Sequence, residues 1–119
     1  MRILTTLLFI ALPFGAAQAQ TVRTESGPVR GSTADGVVAF KGIPFAAPPV
    51  GDLRWRAPQP VKPWKAVRDA TQFGHDCAQK PFDGDAAPLG TPPSEDCLTI
   101  NVWKPAGSTK KKLPVMFWI

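Results

Sequence analysis

From Leu98 to Trp103 the chain alternates: Leu98, Ile100 and Val102 are apolar, Thr99 and Asn101 are polar, and Trp103 ends the run. A period of two predicts a half-buried β-strand. Towards the other end, Val22–Ser26 and Val29–Ser32 are short runs split by Gly27-Pro28, a turn signal. Asp35-Gly36 then precedes Val37–Lys41, and an Asp-Gly pair ahead of a β-branched run predicts a tight hairpin. These three segments are expected to form a small antiparallel sheet. Leu113–Ile119 shows no alternation. A continuous apolar run suits a strand covered on both faces, as in a parallel sheet flanked by helices. The sequence holds no helices to cover it, and it closes on Ile119 without a turn or polar tail. The expectation is therefore that these residues open a longer domain.

Fourteen prolines punctuate the remaining segments without forming a repeat or a tandem P-x-x-P pattern, so few helices are expected. Gly42–Gly51 carries too many prolines for a central strand and reads as an extended, packed loop. Leu53–Arg56 could pair briefly, Ala57–Trp64 stays extended, and Asp69–Phe73 forms at most one helical turn. The stretch between Cys77 and Cys97 is polar, with Pro81, Gly84, Pro88, Gly90, Pro92 and Pro93, and belongs on the surface. Pro105–Ser108 turns the chain. Lys110–Lys112 reads as a solvated, charged flank that discourages aggregation of the apolar run after it.

The first residues have a different character. Arg2 supplies a charge, an apolar core is densest over Leu7–Leu12, Pro13-Phe14-Gly15 breaks it, and Ala17-Gln18-Ala19 ends it with small residues. That order reads as a secretory signal peptide, residues 1–19, cut between Ala19 and Gln20. A membrane anchor is the competing reading. The stretch falls short of the ~20 apolar residues a span requires, and Thr5, Thr6 and Pro13 interrupt it. No membrane association is expected after cleavage, and the location is expected to be secreted or periplasmic.

Removing Arg2 with the leader lowers the formal net charge from +5 to +4. Outside Lys110–Lys112 the basic residues are scattered. A nucleic-acid binder would cluster them with interleaved aromatics, so the charge is read as serving solubility and no nucleic-acid partner is expected. Two cysteines, Cys77 and Cys97, remain after cleavage, and an even count in an exported chain argues for a disulfide. The bridge would contribute roughly 3 kcal/mol by restricting the unfolded chain. His75 is the single histidine, so a zinc site would need a carboxylate to complete its ligands, and the disulfide ranks above it. No metal or other cofactor is expected.

Several motifs, in order, then resemble type-B carboxylesterases, the group that includes the cholinesterases. Phe40–Gly51 is similar to that family's F-x-G-I-P-Y-A-x-P-P-x-G segment, and Leu53–Pro58 to its L-R-F-x-x-P. Trp64 with Asp69-Ala70-Thr71 and Phe73-Gly74 resembles W-x(4)-D-A-T-x-F-G, and Cys77-x-Gln79 follows. Ser94–Pro105 resembles the E-D-C-L-x-L-N-V-x-x-P signature. The resemblance runs from about Val22 to Ile119. It implies an α/β class: the N-terminal portion of an α/β-hydrolase fold, with a small antiparallel sheet plus the first strands of the main sheet. Residues 20–119 would be the N-terminal part of the esterase domain, truncated before the oxyanion loop.

The implied activity is that of a serine carboxylesterase acting on small-molecule esters. Such enzymes place the nucleophile on a G-x-S-x-G elbow and use an H-G-G-G loop as oxyanion hole. None of Ser26, Ser32, Ser94 and Ser108 has glycine two positions to both sides, and His75 lies too early to match the family's catalytic His. No catalytic residue is therefore assigned, and the chain alone is expected to be inactive. The alternative is a non-catalytic, cholinesterase-like adhesion protein, whose N-terminal motifs would look the same. A self-standing disulfide module is disfavoured because Leu113–Ile119 would remain an exposed apolar edge.

Among single residues, Cys77 and Cys97 match positions that are disulfide-bonded in the family. Arg54 and Glu95 both sit in motifs. Glu95 could be imagined as a general acid, but the resemblance favours a buried or half-buried structural ion pair, which Arg can make bidentate. Phe45 and Phe82 could line the gorge to the active site, although core packing is preferred for Phe45. Phe82 is the one aromatic of Ala78–Asp96, and the lack of a Trp there disfavours a choline ester and favours a neutral ester or short acyl group. Asn101 is expected to hydrogen-bond backbone. Trp55, Trp64, Trp103 and Trp118 read as core and interdomain packing residues.

Overall fold

The Asp35-Gly36 pair turns the chain as its type demands. In the computed structural model both residues have positive φ, 51° and 73°, the left-handed pair that a two-residue hairpin loop requires. The structure describes residues 19–79, 92–107 and 112–118. Strands β2 (Pro28–Ala34) and β3 (Val37–Pro44) pair antiparallel across this turn, Ala34 opposite Val37. Strand β1 (Gln20–Arg23) pairs antiparallel with the first half of β2, Val22 opposite Val29. Thr24 closes that earlier turn. Its backbone N–H and its hydroxyl both donate to the Gly27 carbonyl, at 3.0 and 2.7 Å. The expected run to Ser26 thus ends at Arg23, because Glu25 and Ser26 are used by the turn.

Two further strands complete the sheet. β4 (Arg68–Asp69) pairs parallel with β2, and β5 (Thr99–Pro105) pairs antiparallel with β3. The order is β1-β2-β3-β5, with β4 beside β2. The core is small: Val29, Val38, Phe40 and Ala70 are buried, with Val22, Ile43 and Trp64 packed against them. Period two accounts for the pairs 38/40 on β3, which point to one face while Ala39 and Lys41 point to the other.

Several expectations need correction. Residues 42–44 are strand, not loop, because Gly42 forms a bulge between Phe40 and Ile43 and Pro44 stands at the strand's last position, opposite Thr99. Gly42 has φ +63°, and a Cβ there would lie 2.8 Å from the Gln72 carbonyl oxygen, so only glycine fits without movement. Leu53–Arg56 does not pair. Gly51–Leu53 is a single 3-10 turn, and Trp55 has φ +60°. Asp69–Phe73 stays within its bound of at most one helical turn, since it holds none. The Ala70 N–H donates to Arg30 O (2.8 Å) and its carbonyl accepts from Lys41 N–H (2.7 Å), while the Asp69 carboxylate captures the Thr71 N–H (3.1 Å). Those bonds hold the segment extended against the sheet.

Among the described residues there is no α-helix, and the sheet is antiparallel except for the β2–β4 contact. β5 joins this small sheet by antiparallel pairing with β3, so it is not the first strand of a separate main sheet here. The alternation on β5 is only partly reflected in burial. Ile100 is half-buried, but Val102 and Trp103 are exposed. Leu113–Trp118 forms no strand, and Val115 and Trp118 are 90% and 88% exposed. Burying such a run on both faces takes neighbouring strands and covering layers, and the described residues supply neither. Trp55 is fully exposed and Trp103 largely so; of the four tryptophans only Trp64 packs against the core. Residues 1–18, Phe82, Lys110-Lys111 and Ile119 lie outside the described residues.

Candidate functional site

Pro92–Leu98 is the segment on which distant parts of the chain converge. His75 Nδ1 lies 2.9 Å from the Pro92 carbonyl, which can only accept, so Nδ1–H donates. The Ser94 N–H donates to Asp76 O at 2.9 Å, and Cys77 bridges to Ser94 in parallel. Cys77 and Cys97 are joined by a disulfide, with Cα atoms 5.0 Å apart. The Phe45 N–H donates to Leu98 O at 3.1 Å. Four contacts therefore fix one short strip of chain against the His75–Cys77 limb and the end of β3.

The fifth contact comes from the 3-10 turn. Arg54 Nε donates to Glu95 Oε1 at 2.6 Å and Nη2 to Oε2 at 2.5 Å, a bidentate pair. Both side chains keep about half their surface, 54% and 44%, so the pair is exposed where a buried or half-buried one is expected. The Arg54 hydrogen bonds hold the Glu95 carboxyl below its ordinary value, helped by the guanidinium charge and opposed by desolvation; the same contact raises Arg54. Both carboxylate oxygens of Glu95 are engaged by Arg54, which suits a structural clamp.

Beside this strip lies an open depression of about 320 Å³, whose polar lining includes Arg68, Asp69, Gln72, His75, Asp96 and Thr99. Asp69 is held below its usual range, chiefly by the Thr71 hydroxyl, with further help from the Thr71 N–H and from Arg30 at 3.6 Å. No set of three His, Cys, Asp or Glu among the described residues could hold a metal ion. No helix among them is long and apolar enough to cross a membrane. Phe45 is 59% exposed, which overturns the preference for core packing. Ser26 sits in the β1–β2 turn, Ser32 lies in β2, and Ser94 Oγ accepts the Asp96 N–H at 3.1 Å. Ser108 is outside the described residues.

The backbone hydrogen bond expected of Asn101 is made, and other supports carried no isolated signal in the sequence. Asn101 Oδ1 accepts the Gly42 N–H at 2.9 Å, fixing the bulge from across the sheet. Trp64 Nε1 donates to Pro28 O at 2.8 Å while the Arg68 guanidinium lies over its ring, 5.6 Å from the centroid. Lys41 Nζ stands 4.4 Å from the centroid of Phe73, whose ring is 6.3 Å from that of Trp103. The partners of these residues lie on other strands, which no local pattern reveals.

Comparison with known proteins agrees with this architecture. The family model described as the carboxylesterase family matches residues 18–119. The chain is 50% identical over 98 residues to fumonisin B1 esterase of Sphingopyxis macrogoltabida, covering 81% of this chain and 17% of that protein. It is 47% identical over 102 residues to para-nitrobenzyl esterase of Bacillus subtilis (strain 168), covering 84% and 20% respectively. The solved structure of a thermophilic PNB esterase matches with TM-score 0.65 at 44% identity, over 74% of this chain and 18% of that one. The chain belongs to the carboxylesterase family. It spans about a fifth of the length of these relatives.

Proposed function

We propose that this chain is the N-terminal framework of an exported serine carboxylesterase, and that the nucleophile, its acid and base partners and the oxyanion donors come from residues outside it. The observation that carries the reading is the family match over residues 18–119, in a chain whose four serines all lack the flanking glycines of a nucleophile elbow. Ester hydrolysis by a serine needs a hydroxyl, a base within hydrogen-bond reach and oxyanion donors, all preorganised. The described residues form a sheet, a disulfide and an ion-pair clamp, which are scaffold for such a site.

Export is supported by the leader pattern of residues 1–19, and a disulfide between Cys77 and Cys97 suits an oxidising compartment. The substrate proposed for the whole protein is a neutral or short-acyl ester, since Ala78–Asp96 carries no Trp to stack on a quaternary ammonium.

The test is hydrolysis of p-nitrophenyl butyrate by two proteins, this chain and the product of the open reading frame read on past Ile119. Turnover by the longer product, with only background rate from the chain, is expected. Background rates from both would overturn the esterase reading and leave the adhesion alternative.

A further inference from the structure

Gln20 opens β1 and stands opposite Gly31. Residues directly opposite in an antiparallel ladder share a face, and side chains alternate along each strand. Gln20 therefore lies on the face of Val22, and Gly31 on that of the buried Val29. This is the core side of the sheet. A Cβ on Gly31 would lie 2.7 Å from Phe40 Cδ1, and Val22 packs against the Val29–Phe40 core. The Gln20 carboxamide thus occupies an apolar setting, where its Oε1 is buried and meets no hydrogen-bond donor. A buried acceptor without a donor is unfavourable and calls for a cause. No bond at Oε1 holds the side chain in place.

The sequence just before it supplies the chemistry. The leader pattern ends in Ala17-Gln18-Ala19, and Ala19 is exposed and lies outside β1. A cut between Ala19 and Gln20 turns the Gln20 amide nitrogen into a primary α-amine. That amine and the carboxamide carbon Cδ then belong to one residue, joined through its own Cα and methylenes. Attack within one residue is intramolecular, and proximity favours it.

We propose that Gln20 is a modification site, at which the mature chain closes its first residue to pyroglutamate. The proposal rests on the export reading above and not on the esterase reading. The α-nitrogen bonds to Cδ, the Cδ–Nε2 bond breaks, and a proton of the amine leaves with Nε2 as ammonia. Oε1 stays as the lactam carbonyl oxygen, and no oxidant or co-reactant is consumed. The ring removes the Nε2 donors from the core side of β1 and the α-ammonium charge from its start. It also withholds the free amine that an aminopeptidase needs. Loss of Gln20 and Thr21 would leave Val22, a core-packing residue, as the chain end.

The experiment uses the product of the longer open reading frame, exported by a Gram-negative host on residues 1–19. It is weighed undigested by top-down mass spectrometry, before and after reductive methylation of its amines. Gln20–Arg23 contains no lysine, so a label within it sits on the α-amine. The chain should begin at Gln20, be lighter than the open form by one ammonia, and carry no label in that segment. Gln20→Glu, which must expel water in place of ammonia, should keep its amine and take the label. A chain that begins at Gln20 with its ammonia retained and its amine labelled overturns the ring and spares the export reading. A chain that begins at any other residue overturns the cut and the ring together, and hydrolysis of p-nitrophenyl butyrate by the same sample reports on the esterase reading separately.

Discussion

Arg54 and Glu95 stand 41 positions apart, and the guanidinium of the first holds both carboxylate oxygens of the second. The pair ties the 3-10 turn to the strip that also carries the disulfide. Its exposure limits what it contributes, because solvent and salt screen such pairs. It sets a sign for acid stability nonetheless. A carboxyl whose folded value lies below its ordinary 4.5 stabilises the fold above that pH and loses the effect as pH falls through the depressed value. Glu95→Gln should therefore melt below the parent chain near neutral pH, and the two melting temperatures should converge on acidification from about pH 6 to about pH 3. A gap that widens in acid would contradict the assignment.

The disulfide and the ion pair restrain the same strip, so their effects should be coupled. Replacing both cysteines, Cys77→Ser with Cys97→Ser, should lower stability by about 3 kcal/mol in urea unfolding. Arg54→Ala should then have a smaller effect in the disulfide-free chain than in the parent, because the strip no longer holds Glu95 in place. A double-mutant cycle measures this directly. Strict additivity would show that the two restraints act independently.

Gly42 is the position where backbone geometry is least forgiving. Gly42→Ala places a Cβ at φ +63° and 2.8 Å from the Gln72 carbonyl oxygen. A loss of more than about 1 kcal/mol is expected, seen as a lower urea midpoint at unchanged slope. Parental stability would mean that the bulge relaxes freely.

Phe40 is the largest buried side chain of a core of four residues. Truncation to Ala should cost about 3–5 kcal/mol. That is a large share of the about 5–15 kcal/mol typical of whole domains. Loss of a cooperative urea unfolding transition, followed by circular dichroism, is the expected readout. An unchanged transition would place the core elsewhere.

The parts of the fold that were legible from sequence are those with local causes. The Asp35-Gly36 turn, the short strands around it and the strand after Cys97 each carry their signal within a few residues. Pro44 misled because proline is excluded from central strands, whereas here it ends one. Asp69–Phe73 was legible only as a bound of at most one helical turn, because the bonds that keep it extended come from Arg30 and Lys41 on other strands. Leu113–Trp118 misled because its apolar character describes a buried setting that these residues alone do not create. The Arg54–Glu95 pair entered through a family resemblance, since nothing in the spacing of two residues 41 positions apart announces a contact. Its exposure, and that of Trp55, follows from what surrounds them and not from the motifs that contain them.

The central claim is that the scaffold described here serves a nucleophile located elsewhere in the polypeptide. The most direct measurement treats the longer open-reading-frame product with a fluorophosphonate and maps the modified serine by mass spectrometry. The account predicts a single adduct on a serine beyond Ile119 and no labelling of the 119-residue chain alone. A stoichiometric adduct on Ser26, Ser32, Ser94 or Ser108 would contradict it.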